Sequence, residues 1–164
     1  MVLLGALESA STPTLLVMPL GGKAGVPPEH VEALTEHLVA QARRIPGVKV
    51  TALADVQQLL GAEMQRQMAG CSETSCLADI GGALNADEIL YGSLGRLGAS
   101  ELVLTLTRVD PQSASPLAGE SERLSTTDTD GMPDALYAAL QRLFPAYTPP
   151  SSRSLGVRVV PLTA

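Results

Sequence analysis

The tract DEILYGSLGRLGASELVLTLTRV, residues 87–109, decides the fold. Two apolar runs, DEILYGSL and ELVLTLTRV, are separated by GRLGAS, residues 95–100, which carries two glycines. Apolar runs joined through a glycine-containing turn read as a β-hairpin. The second run alternates cleanly. Leu102, Leu104 and Leu106 fall on one face, and Val103, Thr105, Thr107 and Val109 on the other. The leucine face is expected beneath helices, while the β-branched face is more amphipathic and is expected to be partly open.

Upstream of this hairpin, strand and helix patterns alternate. TLLVMPL, residues 14–20, is bounded by Pro13 and GGKAG and reads as a buried first strand. Pro27 and Pro28 suit the first turn of a helix, because proline has no N–H to leave unpaired there. Val31, Leu34, Leu38, Ala42 and Ile45 then recur at helical spacing until Pro46 and Gly47 stop the run. VKVTAL, residues 48–53, is a second strand. Asp55 is placed to cap a helix whose Val56, Leu59, Leu60, Met64 and Met68 share a face, with Gly61 bending it. After CSETS, a short helix carries Leu77, Ile80 and Leu84. Gly81 and Gly82 in its middle each cost about 1 kcal/mol of helix propensity, which close approach of helix to sheet would offset. Asn85 suits a left-handed stop.

Downstream, DPQSASP carries turn chemistry, and LAGESERLS, residues 117–125, is a weak polar strand suited to a sheet edge. Pro133 opens a last helix with an apolar stripe of Leu136, Tyr137, Leu140, Leu143 and Phe144. PAYTPPSS reads as a linker, and LGVRVVPL, residues 155–162, as an added edge strand or a tail. The order β-α-β-α-α-β-β-β-α predicts an α/β (α+β) domain with a mixed sheet of about five strands and helices mainly on one face. Residues 13–145 form the single domain in this reading. Residues 1–12 (MVLLGALESAST) look like the end of an export signal or a frayed terminus, and residues 146–164 are linker plus edge strand.

Composition narrows the function. The chain has 164 residues and 45% hydrophobic content, enough for one domain with a real core. Phe144, Tyr91, Tyr137 and Tyr147 are the only aromatics besides histidine. Stacking platforms for bases are therefore scarce. Net charge is −6, from eleven Lys and Arg against seventeen Asp and Glu, with no basic run. Nucleic acid is thereby disfavoured, since backbone phosphates demand clustered positive charge. No apolar run approaches about 20 residues, so no transmembrane helix is expected. Peripheral membrane association stays open.

The segments KVTALADVQQLLGAE, the Cys71-to-Cys76 stretch, and IGGALNADEILYGSLGRLGASELVLTLTRVDPQS together resemble a group of bacterial envelope domains. The chain resembles the TolB amino-terminal domain and the related CsgG, FlgO and LpoB-type domains. The resemblance covers about two fifths of the chain, residues 48–113, and its motifs are specific only as a set. It implies a TolB amino-terminal-domain-like fold and a periplasmic or outer-membrane-associated location. It further implies non-catalytic work in envelope assembly, secretion or motility machinery through an envelope protein partner. No catalytic residue, cofactor or metal carries over.

In an oxidising compartment, Cys71 and Cys76 are expected to form a disulfide across CSETSC, two buried thiols being the alternative. They are not a C-x-x-C pair and have no further cysteines with which to bind zinc. His30 and His37 lie seven apart on the first helix among glutamates and read as a solvated face. Glu120 and Glu122 beside Arg123 read as charges that keep an edge strand soluble rather than as an acid–base pair.

GSLGRLG leads into a strand and is a hairpin turn rather than a phosphate loop, with Arg96 at its tip as a contact residue. Candidate partner-binding residues are Arg96, Val103, Thr105 and Thr107, together with Val157, Arg158 and Val159 in the carboxyl-terminal strand. A small-ligand-sensing regulatory domain is the alternative, with Gly21, Gly22 and Lys23 after the first strand as the ligand loop. A small enzyme ranks below both, for want of convergent titratable groups.

Overall fold

The computed structural model describes residues 11–57, 60–69, 73–125 and 131–150. One mixed sheet runs through it. The strands are β1 (Thr14–Val17), β2 (Gly21–Gly22), β3 (Lys49–Ala52), β4 (Glu88–Leu97), β5 (Glu101–Asp110) and β6 (Ser115–Ser125). The helices are α1 (Pro28–Ala42), α2 (Leu53–Gln57), α3 (Ala62–Ala69), α4 (Thr74–Ala83) and α5 (Met132–Leu143). Sheet order is β3-β1-β4-β5-β6, with β2 also paired to β4. β1 is parallel to both β3 and β4, whereas β4-β5 and β5-β6 are antiparallel.

β1 is continuous in apolar character because both its faces are covered. Leu15 and Val17 enter one core with α1 and α5, and Leu16 and Met18 enter a second core on the other face. The two long helices share the first face, as the alternation of β5 predicts: Leu102, Leu104 and Leu106 are all buried in that core. The short helices α2, α3 and α4 occupy the second face, where Leu53, Leu77 and Ile80 pack with Ile89 and Val109. Among the described residues this second layer covers the parallel end and leaves much of the antiparallel end bare. Val103, Thr105 and Thr107 are accordingly only half-buried.

Several elements differ in extent from the expected ones. The first strand ends at Val17 rather than running to Leu20, since Pro19 has no N–H to continue a ladder. The chain then rejoins the sheet as β2, pairing Gly21 with Ser93 and Gly22 with Leu94. That supplies partners to the part of β4 that β1 does not reach. β4 itself runs on to Leu97, so the hairpin turn is tighter than GRLGAS and centres on residues 98–100, with Gly98 at φ +76°.

Asp55 does not cap a helix. α2 already starts at Leu53, and Asp55 instead pairs with Arg43 at 2.8 Å, both side chains more than half exposed. The single helix expected through Gly61, bent there, is instead two: α2 ends at Gln57, Leu60 and Gly61 are not helical, and α3 starts at Ala62. Asn85 is left-handed at φ +53°, and Gly81 does meet the sheet: a Cβ there would lie 2.7 Å from Ile89 Cδ1.

Tyr147, inside the stretch read as linker, is buried in the first core. Residues 1–10, Leu59, Cys71 and residues 151–164 lie outside the described residues, and with them Val157, Arg158 and Val159. Among the described residues no helix is long and apolar enough to cross a membrane.

Candidate binding face

The register of β4, β5 and β6 lays out the bare part of the second face row by row. Tyr91 stands opposite Thr107, which stands opposite Gly119. The next row is Ser93, Thr105 and Ser121, and the third is Gly95, Val103 and Arg123. Directly opposed residues on neighbouring strands share a face. The result is a shelf of small and hydroxyl-bearing side chains, tied across the strands by the Thr105 Oγ1 to Ser121 Oγ contact at 3.3 Å.

At its inner end the shelf becomes a groove of about 400 Å³, walled by Met18, Pro19 and Leu77 and floored by Ser93, Thr105 and Thr107. Gly21, Gly22 and Lys23 form its rim. Two sets of residues that sequence reasoning kept apart, the ligand loop and the β-branched face, thus border one concavity. The agent is β2, which holds the loop against β4; Lys23 N donates to Leu94 O at 3.0 Å. Gly92 serves the pairing of β4 with β5 instead, since a Cβ there would collide with the Thr105 carbonyl oxygen. The side chain of Lys23 passes over Gly95, with a Cβ at Gly95 falling 3.3 Å from Lys23 Cδ.

Arg96 is not part of this face and does not stand at a turn tip. Because β4 extends to Leu97, Arg96 is a strand residue of the opposite parity. Its guanidinium donates to three carbonyl oxygens: Gly98 at 3.1 Å, Gly25 at 3.0 Å and Ala99 at 2.8 Å. It clamps the β4–β5 turn to the loop before α1, and its donors are directed into the fold.

His37 also departs from the solvated-face reading. It is half-buried, with Nε2 2.8 Å from Tyr137 Oη and the two rings 5.4 Å apart, so it joins α1 to α5. Burial holds its pKa below the ordinary histidine value. His30 borders the same inter-helix depression, with Met132 and Pro133 across from it. Glu120 and Glu122 face α5, where Arg142 engages both, Glu120 Oε2 at 2.8 Å. Their cation is therefore Arg142 and not the neighbouring Arg123. Among the described residues no group of three or more His, Cys, Asp or Glu side chains is placed to hold a metal ion.

Sequence reasoning missed Arg108. Its Nε and Nη2 hold both carboxylate oxygens of Glu88 at 2.9 and 2.8 Å, Nη1 donates to Leu143 O at 2.6 Å, and its guanidinium lies 4.4 Å from the Phe144 ring centroid. That arrangement fastens the carboxyl end of α5 to the sheet. The only sequence signal was a lone arginine in an apolar strand.

No family model matches the chain, and no curated protein matches it in sequence. Solved structures match in fold. A PelC dodecamer from Paraburkholderia phytofirmans aligns at TM-score 0.53 and 10% identity, over 80% of this chain and 88% of that one. Lipoprotein GNA1162 from Neisseria meningitidis aligns at TM-score 0.51 and 14% identity, over 79% and 94%. TolB from Acinetobacter baumannii aligns at TM-score 0.51 and 13% identity, over 84% of this chain but 28% of TolB, so the present chain spans little more than a quarter of that protein. At such identities the likeness is one of architecture, and the architecture is that of a TolB-like α/β domain.

Proposed function

We propose that this chain is a non-catalytic protein-interaction module of the bacterial envelope, periplasmic or associated with the outer membrane, in assembly, secretion or motility machinery. The observation that carries the reading is the shelf of β4, β5 and β6: a sheet face that no helix among the described residues covers. Sheets bury a face against something, and a partner's surface is a natural cover. β6 adds an outer edge, with Leu117 52% exposed. Likeness of fold to a lipoprotein and to TolB supports the envelope location. An oxidising compartment in turn favours a disulfide between Cys71 and Cys76. Residues 155–162, with Val157, Arg158 and Val159, are a further candidate contact.

The test is capture from a native envelope fraction by the immobilised chain, with Thr105→Arg and a form lacking residues 151–164 alongside. Thr105→Arg is expected to abolish capture of a partner that wild type retains, with circular dichroism unchanged. Identical capture by wild type and Thr105→Arg would remove the shelf from the interface.

A second reading, a small-ligand-sensing regulatory domain, is favoured by one observation: the Gly21 to Lys23 loop is the rim of an actual groove.

A further inference from the structure

The groove has a charge character opposite to that of the protein. The chain carries −6 overall, yet among the described residues lining the groove Lys23 alone is charged. Lys23 has no carboxylate partner among the described residues. Its aliphatic stem lies across Gly95 and its head is left for a ligand. Beneath it, Ser93, Thr105 and Thr107 supply hydroxyls that donate or accept. Met18, Pro19 and Leu77 supply apolar lining, and Tyr91 lines the groove as well. A single cation, a hydroxyl floor and an apolar lining within about 400 Å³ define a compact ligand with one negative charge and a short hydrocarbon body. The planar guanidinium fork that would favour a phosphate's bidentate recognition is absent from these lining residues, and one ammonium matches one carboxylate.

We infer that the groove binds a small aliphatic carboxylate, with Lys23 on the carboxylate and the hydrocarbon against Leu77 and Met18. This rests on the second reading above and names its ligand class. The carboxylate has two sources of identical chemistry, a free branched acid or the carboxyl end of an extended peptide.

Four probes separate them: isovalerate and its amide, and acetyl-Ala-Leu and its amide, each titrated into the labelled chain and followed by backbone amide NMR. The acid of at least one pair is expected to bind threefold or more tighter than its amide. Shifts should concentrate at Lys23, Ser93, Thr105 and Thr107. Whichever acid binds tighter assigns the source. Lys23→Gln, at an exposed position, is expected to keep the wild-type spectrum and to reduce the acid's affinity to that of its amide. Equal binding of acid and amide to wild type, shifts centred away from the groove, or no binding by any probe would overturn the inference. Equal binding of acid and amide with shifts at the groove would leave the ligand-sensing reading standing without the carboxylate, whereas no groove shift from any probe would count against both.

Discussion

Tyr147 donates its hydroxyl hydrogen to Oε1 of Gln41 at 2.8 Å, inside the first core and across 106 residues of chain. Both are buried, Tyr147 at 1% exposure and Gln41 at 7%, and among the described residues Gln41 is the one buried polar residue. The pair locks the segment after α5 onto the last turn of α1.

Removing one member leaves the other unsatisfied. Tyr147→Phe is expected to destabilise the protein by about 1–3 kcal/mol, the cost of a buried group without its partner. Adding Gln41→Leu should recover much of that loss. Urea unfolding of both singles and the double closes the cycle. Additive losses would mean the hydrogen bond contributes nothing specific.

The same contact has an alkaline signature. Burial, reinforced by Tyr137 and opposed by Arg44, pushes the Tyr147 phenol up to about 12 from its ordinary 10.0. The folded value exceeds the unfolded one, so the neutral hydroxyl's contribution is intact below pH 10 and is lost as pH rises toward 12. Tyr147→Phe should remove a phenolate absorbance phase near pH 12 and flatten the alkaline fall in Tm.

His37 gives the acid counterpart. Its pKa is lowered by burial, so the unfolded chain takes up the proton first. Stability from the neutral ring is present above the ordinary value of 6.5 and declines as pH falls through it to the folded value. His37→Gln should weaken the dependence of Tm on pH in that window. An unchanged slope would assign it to other groups.

Adjacent glycines of α4 should respond oppositely. Gly81→Ala places a methyl against Ile89 Cδ1 at 2.7 Å and Pro111 Cβ at 2.9 Å. Overpacking of that kind costs about 1–3 kcal/mol. Gly82 has nothing within 4 Å of a Cβ, and Gly82→Ala should stabilise by up to about 1 kcal/mol through helix propensity. Thermal melts of the two variants decide it.

The proposed disulfide is tested by alkylating denatured protein, purified from its native compartment, with and without reductant. Mass spectrometry is expected to find no reactive thiol until reduction. Closing so short a loop stabilises by about 2 kcal/mol in the chain-entropy account, so reduction should lower Tm. Two thiols reactive before reduction would exclude the cross-link.

Much of the fold is legible in local pattern. The leucines of β5 declare their face because strand side chains alternate with period two, and Leu102, Leu104 and Leu106 are buried as that pattern requires. Asn85 turns left-handed and Gly81 meets the sheet, each from a property of one residue. Strand β2 was illegible, since two glycines carry no periodicity and pair only because β4 extends past β1. Tyr147 was illegible for a related reason: a proline-rich stretch carries no pattern, and its burial depends on Gln41.

The groove divides the same way. Each of its parts could be named from the sequence: a Gly-Gly-Lys loop and an alternating Val-Thr-Thr face. Their meeting could not be, because it is set by register and by sheet order, which bring residues 21–23 beside residues 93 and 105. Backbone propensity and apolar alternation are local, and the sequence by itself determined them along with the overall α/β class. Which face the short helices cover and which polar groups end up sharing a cavity are long-range packing outcomes, decided only when the tertiary structure closes.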